Sequence, residues 1–200
     1  MNGHLPVVIQ MAGIEPHWNY LLAIERDVAE LSRYVEFDAR NFDCFSIEIA
    51  RILLSCGAEV DVVCKGICAA ADPTSTADNI HAYRTEIKSR FPAVPNFRVL
   101  LPRFGLTLTP WDEWNKANGV PLWWTGYNKV KHQRHAEYEK ANLKNAPNAI
   151  GGLFVMAIHL LEAEGQLGNF VPCPLLMDVE APHVGGRAIG GSEPRIRYRL

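Results

Sequence analysis

NAIGGLFVMAIHLLEA, residues 148–163, is apolar nearly all round, and that property decides the fold. A helix with one apolar stripe lies on a surface, whereas one apolar on every side is enclosed by its neighbours. Ile150, Leu153, Phe154, Met156, Ala157, Ile158, Leu160 and Leu161 therefore predict a central core helix. Gly151-Gly152 allows a neighbour's close approach. Pro147 is tolerable in the first turn of such a helix, and Asn145 is placed to cap it.

Residues 45–71 are the longest weakly charged stretch elsewhere. Glu48, Arg51, Glu59, Asp61 and Lys65 interrupt it, which excludes a membrane span of about 20 continuous apolar residues. The prediction is a second long helix, opened by Ser46, stopped at Asp72-Pro73 and buried on several sides. Leu21, Ile24, Val28, Leu31 and Val35 recur at helical spacing and predict an amphipathic helix from Pro16 to about Phe37. Its polar side, Glu25, Arg26, Asp27, Glu30 and Arg33, reads as a solvated face. Residues 74–91 predict a third helix with Ile80, Tyr83, Ile87 and Phe91 as its apolar edge.

From Phe97 to Trp114 the period changes. Val99, Leu101, Phe104, Leu106 and Leu108, broken by Pro102 and Gly105, predict short edge strands, folded back onto the helices by Trp111 and Trp114. Beyond Gly165 the chain is rich in glycine and proline, extended, and paired in part with the 97–108 segment. The fold class is mainly α: a bundle of about five helices with a small β excursion at about 97–110 and an extended C-terminal tail. Residues 1–165 form the bundle domain, with an insertion at about 97–120. Residues 166–200 form a tail packed on or near it.

With 200 residues, 48% hydrophobic and 21% charged, the chain has the composition of a globular protein of one generous domain. A net charge of -2 excludes a global attraction to nucleic acid or anionic lipid, so a polyanion must meet a local patch. Cys44, Cys56, Cys64, Cys68 and Cys173 contain no Cys-x-x-Cys, and Cys56, Cys64 and Cys68 read as buried small hydrophobes. No basic segment leads into an apolar one at the start. The expectation is a cytoplasmic protein that does not enter a membrane.

The fourth helix, from Trp123 to about Leu143, carries the densest chemistry: WWTGYNKVKHQRH, residues 123–135. Residues three, four and seven apart share a helix face, which lines up Trp124, Asn128, Lys131, His132 and His135. On helix two, Glu48, Arg51, Ser55 and Glu59 make one polar stripe, and Asp61 and Lys65 are an i,i+4 pair. These read either as intramolecular pairs or as a functional set. In the latter, Glu59 approaches Lys131 and His132 and raises the imidazole's pKa. His132 and His135 at i,i+3 have a spacing seen in helical metal sites, yet no Glu-x-x-His accompanies them. Neither metal nor other cofactor is expected.

The order Glu59 on helix two, then Tyr127-Asn128-Lys129-Val130-Lys131-His132 on a later helix, resembles the HEPN superfamily (higher eukaryotes and prokaryotes nucleotide-binding). The resemblance covers about residues 15–163. In that superfamily an arginine, usually followed by a polar residue such as asparagine, precedes a histidine by a few positions. Asn128 and His132 fall where that polar residue and histidine sit, and Tyr127 stands in the arginine's place. The resemblance implies a small helical bundle, often dimeric, and a metal-independent ribonuclease of the toxin and phage-defence kind. Degenerate members serve as binding or scaffold modules.

Cleavage of RNA by its own 2′-hydroxyl needs a base near neutral pKa and donors for the developing phosphorane charge. His132 fits the base, Lys131 and Asn128 the donors, and Glu59 the carboxylate partner. Trp123, Trp124 and Tyr127 are suited to stacking an unpaired base, with Lys129, Arg134 and His135 holding the rest of an RNA or nucleotide. The alternative is a noncatalytic protein-interaction or scaffold domain, its partner met through the C-terminal tail, in which the same aromatics seal a helix interface. The all-round apolar helix, Gly151-Gly152 and the resemblance together predict a homodimer.

Overall fold

The computed structural model describes residues 15–167, 171–180, 183–190 and 193–200. The first 14 residues of the expected bundle domain, and 168–170, 181–182 and 191–192 of the tail, lie outside the described residues. Five α-helices are present among them: α1 (Pro16–Leu31), α2 (Ile47–Ala71), α3 (Ile80–Arg90), α4 (Leu122–Glu137) and α5 (Asn145–Ala163). Small antiparallel sheets accompany them, so the fold is the mainly α bundle with a β excursion that the periodicity predicts.

α2 and α5 pack as the central pair, with α1 and α4 against both and α3 against α2. Every residue of α5 from Ala149 to Leu161 is buried. Although α5 is long and apolar enough to cross a bilayer by length and composition alone, its own chain covers it. Each of its large side chains contributes about 1.5–3 kcal/mol by leaving water. The close approach expected at Gly151-Gly152 is internal: a Cβ on Gly152 would lie 2.7 Å from the Trp123 ring, and one on Gly151 would lie 3.1 Å from Leu108. Both glycines thus meet side chains of the same chain.

Local signals account for most boundaries. Ser46 Oγ accepts the Ile49 N–H at 3.1 Å and starts α2 as expected. α3 starts at Ile80, later than the expected 74, because Asp72 first closes a turn on the Thr74 N–H at 2.9 Å. Asn79 then caps the helix by accepting from His81 and Ala82. Asn145 is the first residue of α5 and not its cap; its amide donates to the Lys140 carbonyl at 2.9 Å. α4 ends at Glu137, short of Leu143, after a non-helical residue at Gln133 (φ -136°, ψ 31°).

The excursion forms β1 (Val99–Leu101) and β2 (Leu106–Leu108), joined through Gly105 at φ 62°. Trp111 and Trp114 are fully buried, and the Trp111 indole donates to the Gly152 carbonyl at 3.2 Å, fixing the excursion on α5. The tail supplies β3 (Val171–Pro172), β4 (Asp178–Val179), β5 (Val184–Gly190) and β6 (Glu193–Tyr198). β4 pairs antiparallel with β1, Val99 opposite Val179, as the sequence suggests. β6 lies between β3 and β5 in a second sheet.

One expectation for α1 is overturned. Arg26, Asp27, Glu30 and Arg33 face solvent, but Glu25 is buried. Its carboxylate accepts the N–H groups of Leu175 (2.6 Å), Leu176 (2.7 Å) and Met177 (3.1 Å). The physical reason is helical phase: Glu25 lies four residues after Leu21 and three before Val28, on the inward face. There the tail's backbone donors stabilise a charge that would otherwise be costly to bury. Cys56, Cys64 and Cys68 are buried on α2 as expected, and burial pushes the Cys68 thiol up to about 12, far from a reactive thiolate.

Candidate functional site

α4 turns its aromatic side inward. Trp123, Trp124, Gly126, Tyr127 and Val130 are buried. The Trp123 indole donates to the Pro110 carbonyl at 2.8 Å, and Trp124 and Tyr127 pack ring to ring at 5.2 Å. Tyr127 lies where a Cβ on Gly57 of α2 would be, 2.3 Å from the nearest ring atom, so this is the point of closest approach between α2 and α4. Trp124 is 7% exposed and Tyr127 4% exposed. Their ring faces are occupied by protein, not open to a nucleobase, because a helix of this length gains most by burying its largest apolar surfaces.

Three residues of the predicted catalytic set, Glu59, Asn128 and Lys131, have partners other than one another. Glu59 does not reach Lys131 or His132; its Oε1 lies 2.6 Å from His17 Nδ1 of α1. Helix geometry explains the miss. Gly57 faces α4, and a residue two positions later points roughly the opposite way, toward α1. The Asn128 amide donates to the Trp124 carbonyl at 3.2 Å, one turn back in its own helix. Lys131 Nζ sits 5.4 Å from the Tyr127 ring centroid, a cation over an aromatic face. Lys129 spans the irregular turn at Gln133 to reach Glu137 at 2.9 Å. That bond holds the Glu137 carboxyl below the usual carboxylate range.

The other charged groups of α2 are also paired within the chain. Glu48 bonds Arg51. Asp61 binds Lys65 Nζ at 2.5 Å and accepts the Tyr83 hydroxyl at 2.8 Å. Burial first, and that carboxylate second, push the Tyr83 phenol well above its ordinary range.

His132, Arg134 and His135 are exposed and make no hydrogen bond or ion pair among the described residues. With Lys131 they rim an open groove of about 790 Å³ between the start of α2 and the later part of α4. Ile47, Leu54, Val130 and Tyr138 form its apolar surface. Ile47 is 71% exposed, and Phe45, 49% exposed, stands edge-on to Tyr138 at 5.4 Å. One end is fixed by backbone bonds from Leu143 N–H to the Cys44 carbonyl (2.9 Å) and Lys144 N–H to the Phe42 carbonyl (3.0 Å).

Two further hollows adjoin it. Across α2, Asp27, Glu30, Glu48 and Arg51 line a hollow of about 330 Å³ with Tyr34. Across α4, Asp61, Asp78, Asn79 and Asn128 line one of about 530 Å³ over the edges of Trp124 and Tyr127. The rim is thus a short strip flanked by carboxylates, and Asn128 lines the far hollow, whereas Lys131 lines both that hollow and the groove.

Sequence reasoning missed Ile47, Leu54 and Phe45 as members of a surface. It also missed His159, 2% exposed within α5. His159 Nδ1 lies 2.6 Å from the Val155 carbonyl, and the ring sits edge-on to Phe91 and Phe97. Burial lowers its pKa to about 4, so the ring is neutral near pH 7 and takes no part in the groove.

Comparison with models of known protein families, with curated proteins and with solved structures finds no match.

Proposed function

We propose that this protein is a noncatalytic protein-interaction module whose binding surface is the groove between α2 and α4. The observation that carries the reading is Ile47, 71% exposed, which lines the groove with the half-buried Leu54 and Tyr138 beside a rim of Lys131, His132, Arg134 and His135, while the exposed Phe45 adjoins it through Tyr138. Contiguous exposed apolar surface with a polar rim is the signature of an interface. A reaction centre draws little support. Among the described residues no carboxylate orients His132, Glu59 is taken by His17, and Asn128 is spent on its own helix.

The test compares the wild-type protein with Ile47→Asp, both immobilised, for retention of binding proteins from the source cells. A partner held by the wild type and lost from Ile47→Asp is expected, with no change in melting temperature. Equal retention by both would overturn the reading. A second reading keeps the HEPN resemblance: unstructured RNA along the same cations, with His132 as base. What favours it is the exposure of His132 beside Lys131 and Arg134. RNA degraded in EDTA by the wild type and spared by His132→Ala would select it.

A further inference from the structure

Resting on the groove reading, we propose that its occupant is a single amphipathic helix of a partner protein, with apolar anchors on one face and carboxylates on the flanks. The groove runs between two helices, α2 and α4, and among the described residues no strand lines it. An extended peptide adding to a sheet would need an open strand edge. A helix needs instead a trough with apolar contacts spaced by turns. Ile47 and Leu54 are seven residues apart on α2, about 10 Å along its axis. That spacing matches the i and i+7 anchors of a docked helix. Tyr138, partly exposed on the opposite wall, meets the residues between those anchors.

Charge selects the flanks. Lys131, His132, Arg134 and His135 concentrate donors within five consecutive positions on one rim. On either side of this strip a long polyanion such as RNA would meet more carboxylates than cations: Asp27, Glu30 and Glu48 with Arg51 on one side, Asp61 and Asp78 with Lys131 on the other. A helix of a few turns keeps its carboxylates on the strip and avoids both acidic hollows. Complementary charge of this kind sets partner choice and association rate more than total affinity.

The experiment titrates the full-length protein against three fluorescent probes. The first is a peptide of about 18 residues with leucine at i, i+3, i+4 and i+7, glutamate on the two flanks and alanine elsewhere. A side-chain staple on its outer face holds it helical, because an isolated helix of this length is marginal. The second is the same peptide with lysine for glutamate, and the third is an oligouridine. The acidic peptide is expected to bind at least about tenfold tighter than the basic one. It should weaken between about 0.05 and 0.5 M salt and lose binding to Ile47→Asp. The double variant Lys131→Glu/Arg134→Glu, changed only at exposed positions, should reverse the peptide preference.

Equal binding of the two peptides, or none by either, would overturn the helix proposal while leaving the groove to the retention test. Oligouridine binding tighter than the acidic peptide, lost in Lys131→Glu/Arg134→Glu, would overturn the protein-partner reading itself.

Discussion

The carboxylate of Glu25 on α1 accepts the backbone N–H of Leu176 at 2.7 Å, joining residues 151 apart in sequence. Its two oxygens also take the N–H groups of Leu175 and Met177, so one side chain caps a whole turn of the tail. Nearby, the Trp18 indole donates to the Pro172 carbonyl at 3.0 Å, and Tyr198 packs on Trp18 at 5.5 Å. The tail is therefore part of the packed body, held by side chain to backbone bonds where β3 and β4 are only two residues long each.

Glu25→Ala removes the acceptor for three N–H groups, two of them in buried bonds, while water cannot fully replace it. Loss of roughly 3 kcal/mol of unfolding free energy is expected in urea titration, given that bonds to a charged group are worth about 1.5–3 kcal/mol. Hydrogen exchange at 175–177 should accelerate before that of α5. Glu25→Gln keeps one oxygen and should fall between. A variant with wild-type stability and unchanged exchange at Leu176 would show that the contact does not hold the tail.

Gly57 and Tyr127 make the second test. Since a Cβ on Gly57 would lie 2.3 Å from the Tyr127 ring, Gly57→Ala must push α4 away from α2 or swing the tyrosine out. Overpacking costs typically about 1–3 kcal/mol, against a helix-propensity gain of under about 1 kcal/mol. Net destabilisation of about 2 kcal/mol is expected by thermal or chemical denaturation. Adding Tyr127→Leu should recover part of the loss. Additive losses would place the strain elsewhere.

Glu59 and His132 separate structure from site. The described contact of Glu59 is with His17, whose side chain is 33% exposed against 16% for the carboxylate. A double-mutant cycle between Glu59→Ala and His17→Ala should give a coupling of about 1 kcal/mol, at the upper end for a partly exposed pair. The cycle between Glu59→Ala and His132→Ala should give none, and His132→Ala alone should stay within about 0.5 kcal/mol of wild type. Coupling in the second cycle would restore the Glu59–His132 contact that the spacing on helix two suggested.

The bundle was legible because helical periodicity is a local property: the residues of α5 state their burial without reference to the rest of the chain. The paired polar groups of α2 were legible for the same reason, since Asp61 and Lys65 are neighbours on one helix. Which face of α2 meets α4 is a different matter. It depends on the helix crossing at Gly57 and Tyr127, and a rotation of two residues decides whether Glu59 sees His132 or His17. Glu25 was hidden because its partners are backbone N–H groups of a distant turn, which carry no sequence signature. The groove was hidden because it is a relation between Ile47 and Lys131, residues with nothing in common in sequence.

His159 gives the pH prediction. Its pKa falls from an ordinary 6.5 to about 4 in the folded protein, chiefly because burial disfavours the imidazolium, with His183 adding repulsion and the Val155 carbonyl opposing. A base whose folded pKa is depressed is fully compatible with the fold above pH 6.5, where both states are neutral. Between pH 6.5 and about 4 the unfolded chain binds a proton that the native chain refuses, so stability falls as pH falls through that window. At 1.36 kcal/mol per unit the loss approaches about 3 kcal/mol near pH 4. His159→Leu keeps an apolar group of similar size among Phe91 and Phe97 and removes the titration. Unfolding free energies measured from pH 8 to pH 4 should diverge below pH 6.5, the wild type losing more than the variant. Parallel curves would mean that His159 is not what makes the fold acid-sensitive.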